Sequence, residues 1–333
     1  MVGCVILDAQ GHVAGEGYHA RCGGPHAEVE ALRRAGARAR GGTAVVTLEP
    51  CNHTGRTGPC SVALMQAGVA RVVYACTDPA VPAAGGADAL RAAGVEVLQV
   101  PCQAAARVTA PFLHRVRTGL PWVTAKWAQS ADGLLVAPPG QDRWISGLRS
   151  RAKVHGERGR VDVVLTGMGT VLADDPLLTA RGQRPLRHPM RVVWDPRLEL
   201  PLASQLVRTA AAGAPVVAAC LPGVAAARAV HAAALRAAGV HVVEVADLRA
   251  LLRWLAAERR ASTVLVEAGP RLLRALFGAG LVNDAWVFVS PRTFGGSPSP
   301  GLLRELGLLE LSRHRSAEDT LLKVVPGTPV PGF

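Results

Sequence analysis

Lysine is almost missing from this chain. Three lysines (Lys126, Lys153 and Lys323) stand against 34 arginines, and the formal net charge is +12. A composition-biased genome explains that pattern as well as a binding surface does. The arginines are scattered and no aromatic residues interleave them, so no nucleic-acid groove is expected; a modest attraction for phosphorylated small molecules remains. Aromatics make up only 4% of the residues while apolar ones make up 49%. That balance suits an Ala/Val/Leu-rich α/β protein and excludes a disordered chain. Long apolar runs are missing too. The longest charge-free stretch, 209–227, is mostly Ala and Gly and holds Pro215 and Pro222, so no membrane span is expected. No basic segment precedes an apolar one near Met1, so no secretory signal is expected either. The cysteines number seven, and Cys4, Cys22, Cys76, Cys102 and Cys220 lack disulfide-like spacing. A reducing, cytoplasmic setting follows as the expectation. No Gly-x-Gly-x-x-Gly follows a strand pattern, which leaves a standard Rossmann fingerprint unsupported.

What is present begins with Gly24-Pro25-His26-Ala27-Glu28, read together with Glu49-Pro50-Cys51 and Cys60. His26, Cys51 and Cys60 offer three zinc ligands, which leaves one tetrahedral position for water. Zinc lowers the pKa of such a water from 15.7 to about 7. Glu28 follows His26 too closely to be a comfortable fourth ligand and suits a proton shuttle between that water and a leaving amine. The order matches the His-x-Glu…Pro-Cys-x-x-Cys deaminase signature, except that the cysteine gap is eight residues rather than two. The insert, Asn52 to Pro59, is polar and Gly-rich, as a substrate-contacting loop is. His-Ala-Glu alone is a common accident, and two cysteines among seven are common as well. The conjunction is not. Pro25 can open a helix at its first turn, carrying His26 and Glu28. Pro50 is expected to do the same for Cys51, with the apolar run Thr43-Ala44-Val45-Val46-Thr47-Leu48 leading into it and the helix dipole favouring a Cys51 thiolate.

At 333 residues the chain has room for two domains. The first half reads as strands at 2–7, 12–19, 69–74 and 95–100, with helices at 87–93 and 103–117, an alternation of βα units. Thr118-Gly119-Leu120-Pro121 marks a boundary, giving domains 1–118 and 119–333. The second half reads as strands at 122–128, 161–165, 191–194, 216–219, 240–245, 264–267 and 285–290. Its helices are expected at 146–156, 225–238, 248–258 and 270–277. Two of its βα junctions suit phosphate. Strand 161–165 runs into Thr166-Gly167-Met168-Gly169-Thr170, and strand 264–267 into Ala268-Gly269-Pro270. A Gly before Pro at a first helical turn leaves backbone N–H groups free for an anion. A lone Gly-rich turn is more often only a turn.

The runs His26-Ala27-Glu28-Val29-Glu30-Ala31-Leu32 and Thr47-Leu48-Glu49-Pro50-Cys51-Asn52-His53-Thr54-Gly55-Arg56-Thr57-Gly58-Pro59-Cys60 resemble the bifunctional riboflavin-biosynthesis deaminase/reductase family. In the second half, Lys126-Trp127-Ala128-Gln129-Ser130-Ala131-Asp132-Gly133, Arg143-Trp144-Ile145-Ser146, Thr170-Val171-Leu172-Ala173-Asp174-Asp175-Pro176-Leu177-Leu178-Thr179-Ala180-Arg181 and Val266-Glu267-Ala268-Gly269 are similar to that family's reductase motifs. The resemblance implies an α/β chain with a cytidine-deaminase-like domain followed by a dihydrofolate-reductase-like one. It implies Zn²⁺ on His26, Cys51 and Cys60, Glu28 as the catalytic group, and His53, Arg56 and Thr57 on the pyrimidine substrate. It implies NADPH against Ala128, Trp144, Thr170, Asp174, Gly269, Pro270 and Arg271. Arg158, Leu178, Arg181 and Glu267 would hold a sugar phosphate, Arg being suited to bidentate phosphate contacts.

Relatives carry a helix and an Asn-Pro turn ahead of the first strand, so the deaminase domain is expected to be N-terminally truncated here. Three positions depart from the family: Leu134 stands for a basic residue, Asp142 for Ser, and Ala268 for Gly. A carboxylate at Asp142 is expected to repel a phosphorylated substrate. The partner expected is a phosphorylated pyrimidine-ribose, with no nucleic acid and no membrane, in a homodimer or homotetramer. The rival readings are a monofunctional reductase with a zinc-binding remnant, a deaminase of another nucleoside or nucleobase, and a zinc-stabilised regulatory or nucleic-acid-binding protein.

Overall fold

The computed structural model describes residues 2–20, 23–54, 57–79, 85–181, 188–295 and 301–327. The chain divides into two compact units, Met1–Thr118 and Gly119–Phe333.

The first unit is built on a five-stranded sheet. Its strands are β1 (Gly3–Leu7), β2 (Val13–Tyr18), β3 (Thr43–Leu48), β4 (Arg71–Cys76) and β5 (Glu96–Gln99), in the order β2-β1-β3-β4-β5. β1 pairs antiparallel with β2 and β3, while β3, β4 and β5 run parallel. The β1–β2 turn closes on Asp8, whose carboxylate accepts the N–H groups of Gln10 and His12. The helices are α1 (Ala27–Ala35), α2 (Cys60–Gln66), α3 (Gly86–Ala92) and α4 (Gln103–Thr118). Ala27, Ala31 and Ala35 form a buried stripe on α1, and opposite them β2 presents Gly15 and Gly17. A Cβ on Gly17 would run into the Ala27 carbonyl, and one on Gly15 into the Ala31 carbonyl. The helix therefore lies directly on the strand backbone. That contact sets the height of its N-terminus, where His26 and Glu28 sit.

The second unit carries a nine-stranded sheet. Its strands are β6 (Trp122–Gln129), β7 (Val163–Gly167), β8 (Met190–Trp194), β9 (Val216–Cys220), β10 (Val240–Glu244), β11 (Thr263–Glu267), β12 (Asp284–Val289), β13 (Leu308–Ser316) and β14 (Asp319–Pro326). The order is β10-β9-β8-β7-β11-β6-β12-β14-β13, parallel from β10 to β12 and antiparallel through β14 and β13. The helices are α5 (Leu148–Arg158), α6 (Met168–Asp174), α7 (Gln205–Arg208), α8 (Val224–Ala227), α9 (Ala229–Ala237), α10 (Leu248–Glu258), α11 (Pro270–Gly278) and α12 (Gly301–Glu305). One core cluster joins Trp127 to Leu251 and Leu255 of α10 and Leu273 and Leu276 of α11. Another joins Val164 to Val171 of α6, Leu206 of α7 and Leu235 of α9. The neighbours β7 and β11 thus send their helices to opposite faces. In an open α/β sheet, such a switch point opens a crevice at the carboxyl ends of the strands.

Four expectations change. The second helix of the first unit starts at Cys60 behind Pro59, not at Cys51; the described residues of the insert, 52–54 and 57–59, are not helical, and it is Pro59 that supplies the extended entry. The Gly-rich segment after β7 is the start of α6, with Gly167 as its N-cap. Residues 225–238 form two helices, broken at Arg228, whose ψ is 40°; alanine-rich sequence gives no sign of that break. The hairpin β13–β14 was not anticipated.

Candidate active sites

The first site assembles where three chain segments converge. His26 is the N-cap of α1 and Glu28 lies in its first turn. Cys51 follows β3 by three residues, and Cys60 opens α2. His26 Nδ1 lies 3.2 Å from Cys60 Sγ and 3.4 Å from Cys51 Sγ. The three ligand atoms all fall within 4.8 Å of one another. Tetrahedral zinc, with Zn–N near 2.0 Å and Zn–S near 2.3 Å, sets such donors about 3.5–3.8 Å apart, so the set fits the ion with small adjustments. The start of α2 also faces Cys51: the Cys60 N–H points at Cys51 Sγ at 3.5 Å and the Ser61 N–H donates to the Cys51 carbonyl. The helix thus favours a thiolate at Cys51 from in front of the residue rather than by containing it.

The electrostatics are those of a charged, enclosed cluster. A hydrogen bond from Cys60, with His26 also contributing, lowers the Cys51 thiol to about 4. The Cys60 thiol is pushed up by that shared bond and by burial. The hydrogen bond between His26 and Cys51 raises the His26 imidazole. Glu28, only 3% exposed, is raised by burial and then by the Cys51 charge. A carboxyl poised upward beside a ligand set suits a group that must both accept and return a proton.

His53 and Thr57 are half-buried, and His53 Nδ1 is buried with no hydrogen-bond partner among the described residues. Arg56 lies outside the described residues. His19 was missed in the sequence. It bonds the Pro25 carbonyl through Nδ1 at 3.0 Å and stands edge-on to His26 with ring centres 5.5 Å apart. Its place at the end of β2, seven residues before His26, was the available signal.

The second site lies at the carboxyl ends of β6, β7 and β11. Glu267 ends β11 and pairs in register with Lys126 of β6. Arg158, from the end of α5, grips Glu267 with two hydrogen bonds, Nε to Oε1 at 2.5 Å and a terminal nitrogen to Oε2 at 2.9 Å. Arg158 also donates to the Thr179 carbonyl, as does His155 Nδ1. Burial alone would raise Glu267; the charge and hydrogen bonds of Arg158, with Lys126 behind them, bring it below the usual carboxylate range. Lys126 is lowered by burial, and His155 is lowered by burial and by the charges of Arg158 and Arg181. Lys126 is a second residue missed in the sequence; it lies on the half-buried side of the β6 alternation, away from Val123, Ala125 and Trp127.

The loop 175–181 is pinned from two sides. Thr179 is held as above, and Asp175 Oδ1 accepts the Gln205 N–H at 2.7 Å. Leu178 is buried in a left-handed conformation at φ 54°, a strain that only such pinning sustains. Arg181 is exposed.

Thr170 and Asp174 lie on α6, and Gly269, Pro270 and Arg271 form the start of α11. No side chain caps α11, and a Cβ on Gly269 would meet nothing within 4 Å among the described residues. That clear helix start fits a dinucleotide phosphate. Trp144 is 47% exposed, and the guanidinium groups of Arg143 and Arg151 lie over its ring at 4.8 and 4.5 Å from the centroid. It lines a cavity of about 250 Å³ with Ser146, Arg151, Ser290 and Arg292. Asp142, in the same lining, bonds the Trp144 N–H and lies 3.8 Å from Arg292. Its charge is thus partnered, which weakens the expected repulsion of phosphate. Ala128 is half-buried and packs on one side against the cluster of Val154, Phe288 and Leu321.

Comparison with known proteins gives two family matches. Residues 121–323 match the RibD C-terminal domain, and residues 1–76 match the cytidine and deoxycytidylate deaminase zinc-binding region. The riboflavin biosynthesis protein RibD of Aquifex aeolicus is 37% identical over 324 residues, covering 96% of this chain and 86% of the relative. That of Mycobacterium tuberculosis is 40% identical over 300 residues, covering 89% and 79%. Among solved structures, Acinetobacter baumannii RibD (form 1) superposes with a TM-score of 0.83 at 35% identity, covering 98% of this chain and 92% of the other. The Thermotoga maritima diaminohydroxyphosphoribosylaminopyrimidine deaminase/5-amino-6-(5-phosphoribosylamino)uracil reductase does so at 0.80 and 28%, covering 98% and 91%.

Proposed function

The chain belongs to the RibD family of riboflavin-biosynthesis proteins, which join a zinc-dependent deaminase to an NADPH-dependent reductase, and from that premise we propose how its residues divide the two reactions. The chain is a bifunctional deaminase and reductase. The substrate is 2,5-diamino-6-ribosylamino-4(3H)-pyrimidinone 5′-phosphate. The first unit replaces its exocyclic amine at C2 by oxygen and releases ammonia. The second converts the ribosyl group to ribityl.

In the first reaction, His26, Cys51 and Cys60 hold the zinc, which supplies the Lewis acidity that makes water nucleophilic near neutral pH. Glu28 takes a proton from the water and returns it to the departing amine. Its burial keeps that proton from bulk solvent. His53 and Thr57, with Arg56, orient the pyrimidine. The observation that carries this reading is the convergence of three ligand atoms within 4.8 Å beside the buried Glu28.

In the second reaction, NADPH supplies the hydride. Trp144, Thr170, Asp174 and the turn Gly269-Pro270-Arg271 hold the dinucleotide, and Ala128 is the small residue beside it. Glu267, Leu178, Arg158 and Arg181 place the ribose phosphate. Glu267 already occupies one edge of the Arg158 fork. The exposed Arg181 is therefore the stronger phosphate contact, and Arg158 chiefly fixes Glu267. Lys126, held beside Glu267, adds a positive charge at the reacting end.

Chelating the zinc is expected to abolish ammonia release while NADPH oxidation on pre-deaminated substrate continues at the same rate. Ammonia and NADPH assays before and after chelation check this; a parallel loss of both activities would contradict the assignment of zinc to the first unit alone. Assembly as a homodimer or homotetramer and a cytoplasmic setting belong to the same reading. Among the described residues, no helix is long and apolar enough to cross a membrane.

A further inference from the structure

We propose that Gly86 and Glu49 form a latch that fixes the position of Cys51 as a zinc ligand. The inference rests on the zinc reading of the first site and adds positioning residues to it. Cys51 lies in a loop, the least constrained kind of backbone, whereas His26 and Cys60 are held by helix starts. A metal ligand must stay within about 0.5 Å of its working position, so something must hold the Glu49-Pro50-Cys51 turn.

The start of α3 does so from one side. Gly86 lies directly on the Pro50–Cys51 peptide. A Cβ at Gly86 would run into the Pro50 carbonyl oxygen, and would stand 2.8 Å from the Pro50 carbonyl carbon and 3.4 Å from that of Cys51. Only glycine allows this approach. Glu49 completes the latch. Its side chain is buried, and its two oxygens accept backbone N–H groups from different segments: Ala87 in the first turn of α3 at 3.2 Å, and Asp78 beyond β4 at 3.3 Å. Its own N–H donates to the Cys76 carbonyl of β4. The start of α2 closes from the other side, through the Ser61 N–H on the Cys51 carbonyl and the Cys60 N–H on Cys51 Sγ. Cys51 is thus clamped between two helix starts. A methyl group at residue 86 would push the ligand turn by on the order of 1 Å, beyond the tolerance of a tetrahedral site.

The test is Gly86→Ala in the full chain, with zinc affinity by competition and Co²⁺ as the spectroscopic probe of thiolate ligation. A fall in zinc affinity of about 10–100-fold is expected. A weaker thiolate-to-Co²⁺ charge-transfer band is expected with it, and unchanged NADPH oxidation on pre-deaminated substrate. A folded Gly86→Ala chain with wild-type affinity and an unaltered Co²⁺ spectrum would overturn the proposal. If that variant does not fold, Glu49→Gln decides. It preserves volume but turns an amide NH₂ toward one of the two backbone donors, so weakened zinc binding supports the latch and wild-type affinity overturns it. A wild-type chain without a two-thiolate Co²⁺ spectrum would contradict the zinc reading itself, and the latch with it.

Discussion

Glu28→Gln is expected to cut ammonia release by about 10²–10⁴-fold, the usual contribution of a positioned acid–base group, while zinc content and NADPH oxidation stay at wild-type levels. The amide keeps the shape of the buried side chain, so the ligand set beside it is undisturbed. What it loses is the ability to accept a proton and give it back. Zinc analysis separates this from a structural effect, because a variant that lost the ion would lose activity for another reason. Ammonia release within a factor of two or three of wild type would remove Glu28 from the mechanism.

Glu267→Gln is expected to have the largest effect on the second unit. Arg158 and Lys126 both face this carboxylate, and the Arg158–Glu267 side chains are only 13% and 11% exposed. Removing this carboxylate leaves the Arg158 guanidinium without its ion-pair partner in a poorly solvated place. Breaking a buried pair in this way costs about 3–5 kcal/mol, which urea unfolding of the second unit can resolve. The sign of the pH effect follows from the depressed folded pKa of Glu267. Its contribution is present above the unfolded value of about 4.3 and is lost as the pH falls through the folded value. The wild-type chain therefore loses stability in that acidic window and the variant lacks that step. Reductase kcat/KM is expected to fall with it under the proposed role of Glu267 in placing the ribose. An unchanged unfolding midpoint would show that the pair is not the structural centre of the crevice.

Much of this was legible in the chain because it is written locally. The strands follow from apolar runs, and α10 was bounded at the residues observed, with Asp247 capping it through the Ala250 N–H. The His26, Cys51 and Cys60 group that converges in the first unit was legible as a spacing pattern. The start of α2 was misplaced because Pro50 and Pro59 both suit a helix entry, and only the tertiary position of Cys51 in front of α2 distinguishes them. The β13–β14 hairpin escaped notice because β13 mixes charged residues with a bulge near Leu311, which breaks the alternation of apolar and polar positions that marks a half-buried strand. Contacts between distant segments left no trace at all. Gly86 on Pro50 and Lys126 beside Glu267 each join residues far apart in sequence. Each depends on shape or charge that appears only when the sheets form.

The central claim is that one chain carries out a deamination and then a reduction at two separate centres. The most direct measurement supplies the zinc-loaded protein with the diaminopyrimidinone ribosylamine phosphate and follows ammonia and NADPH in the same tube. The account predicts that ammonia appears first and that NADPH is then consumed in equal amount. NADPH loss without ammonia, or neither signal from a folded, zinc-bound chain, would contradict it.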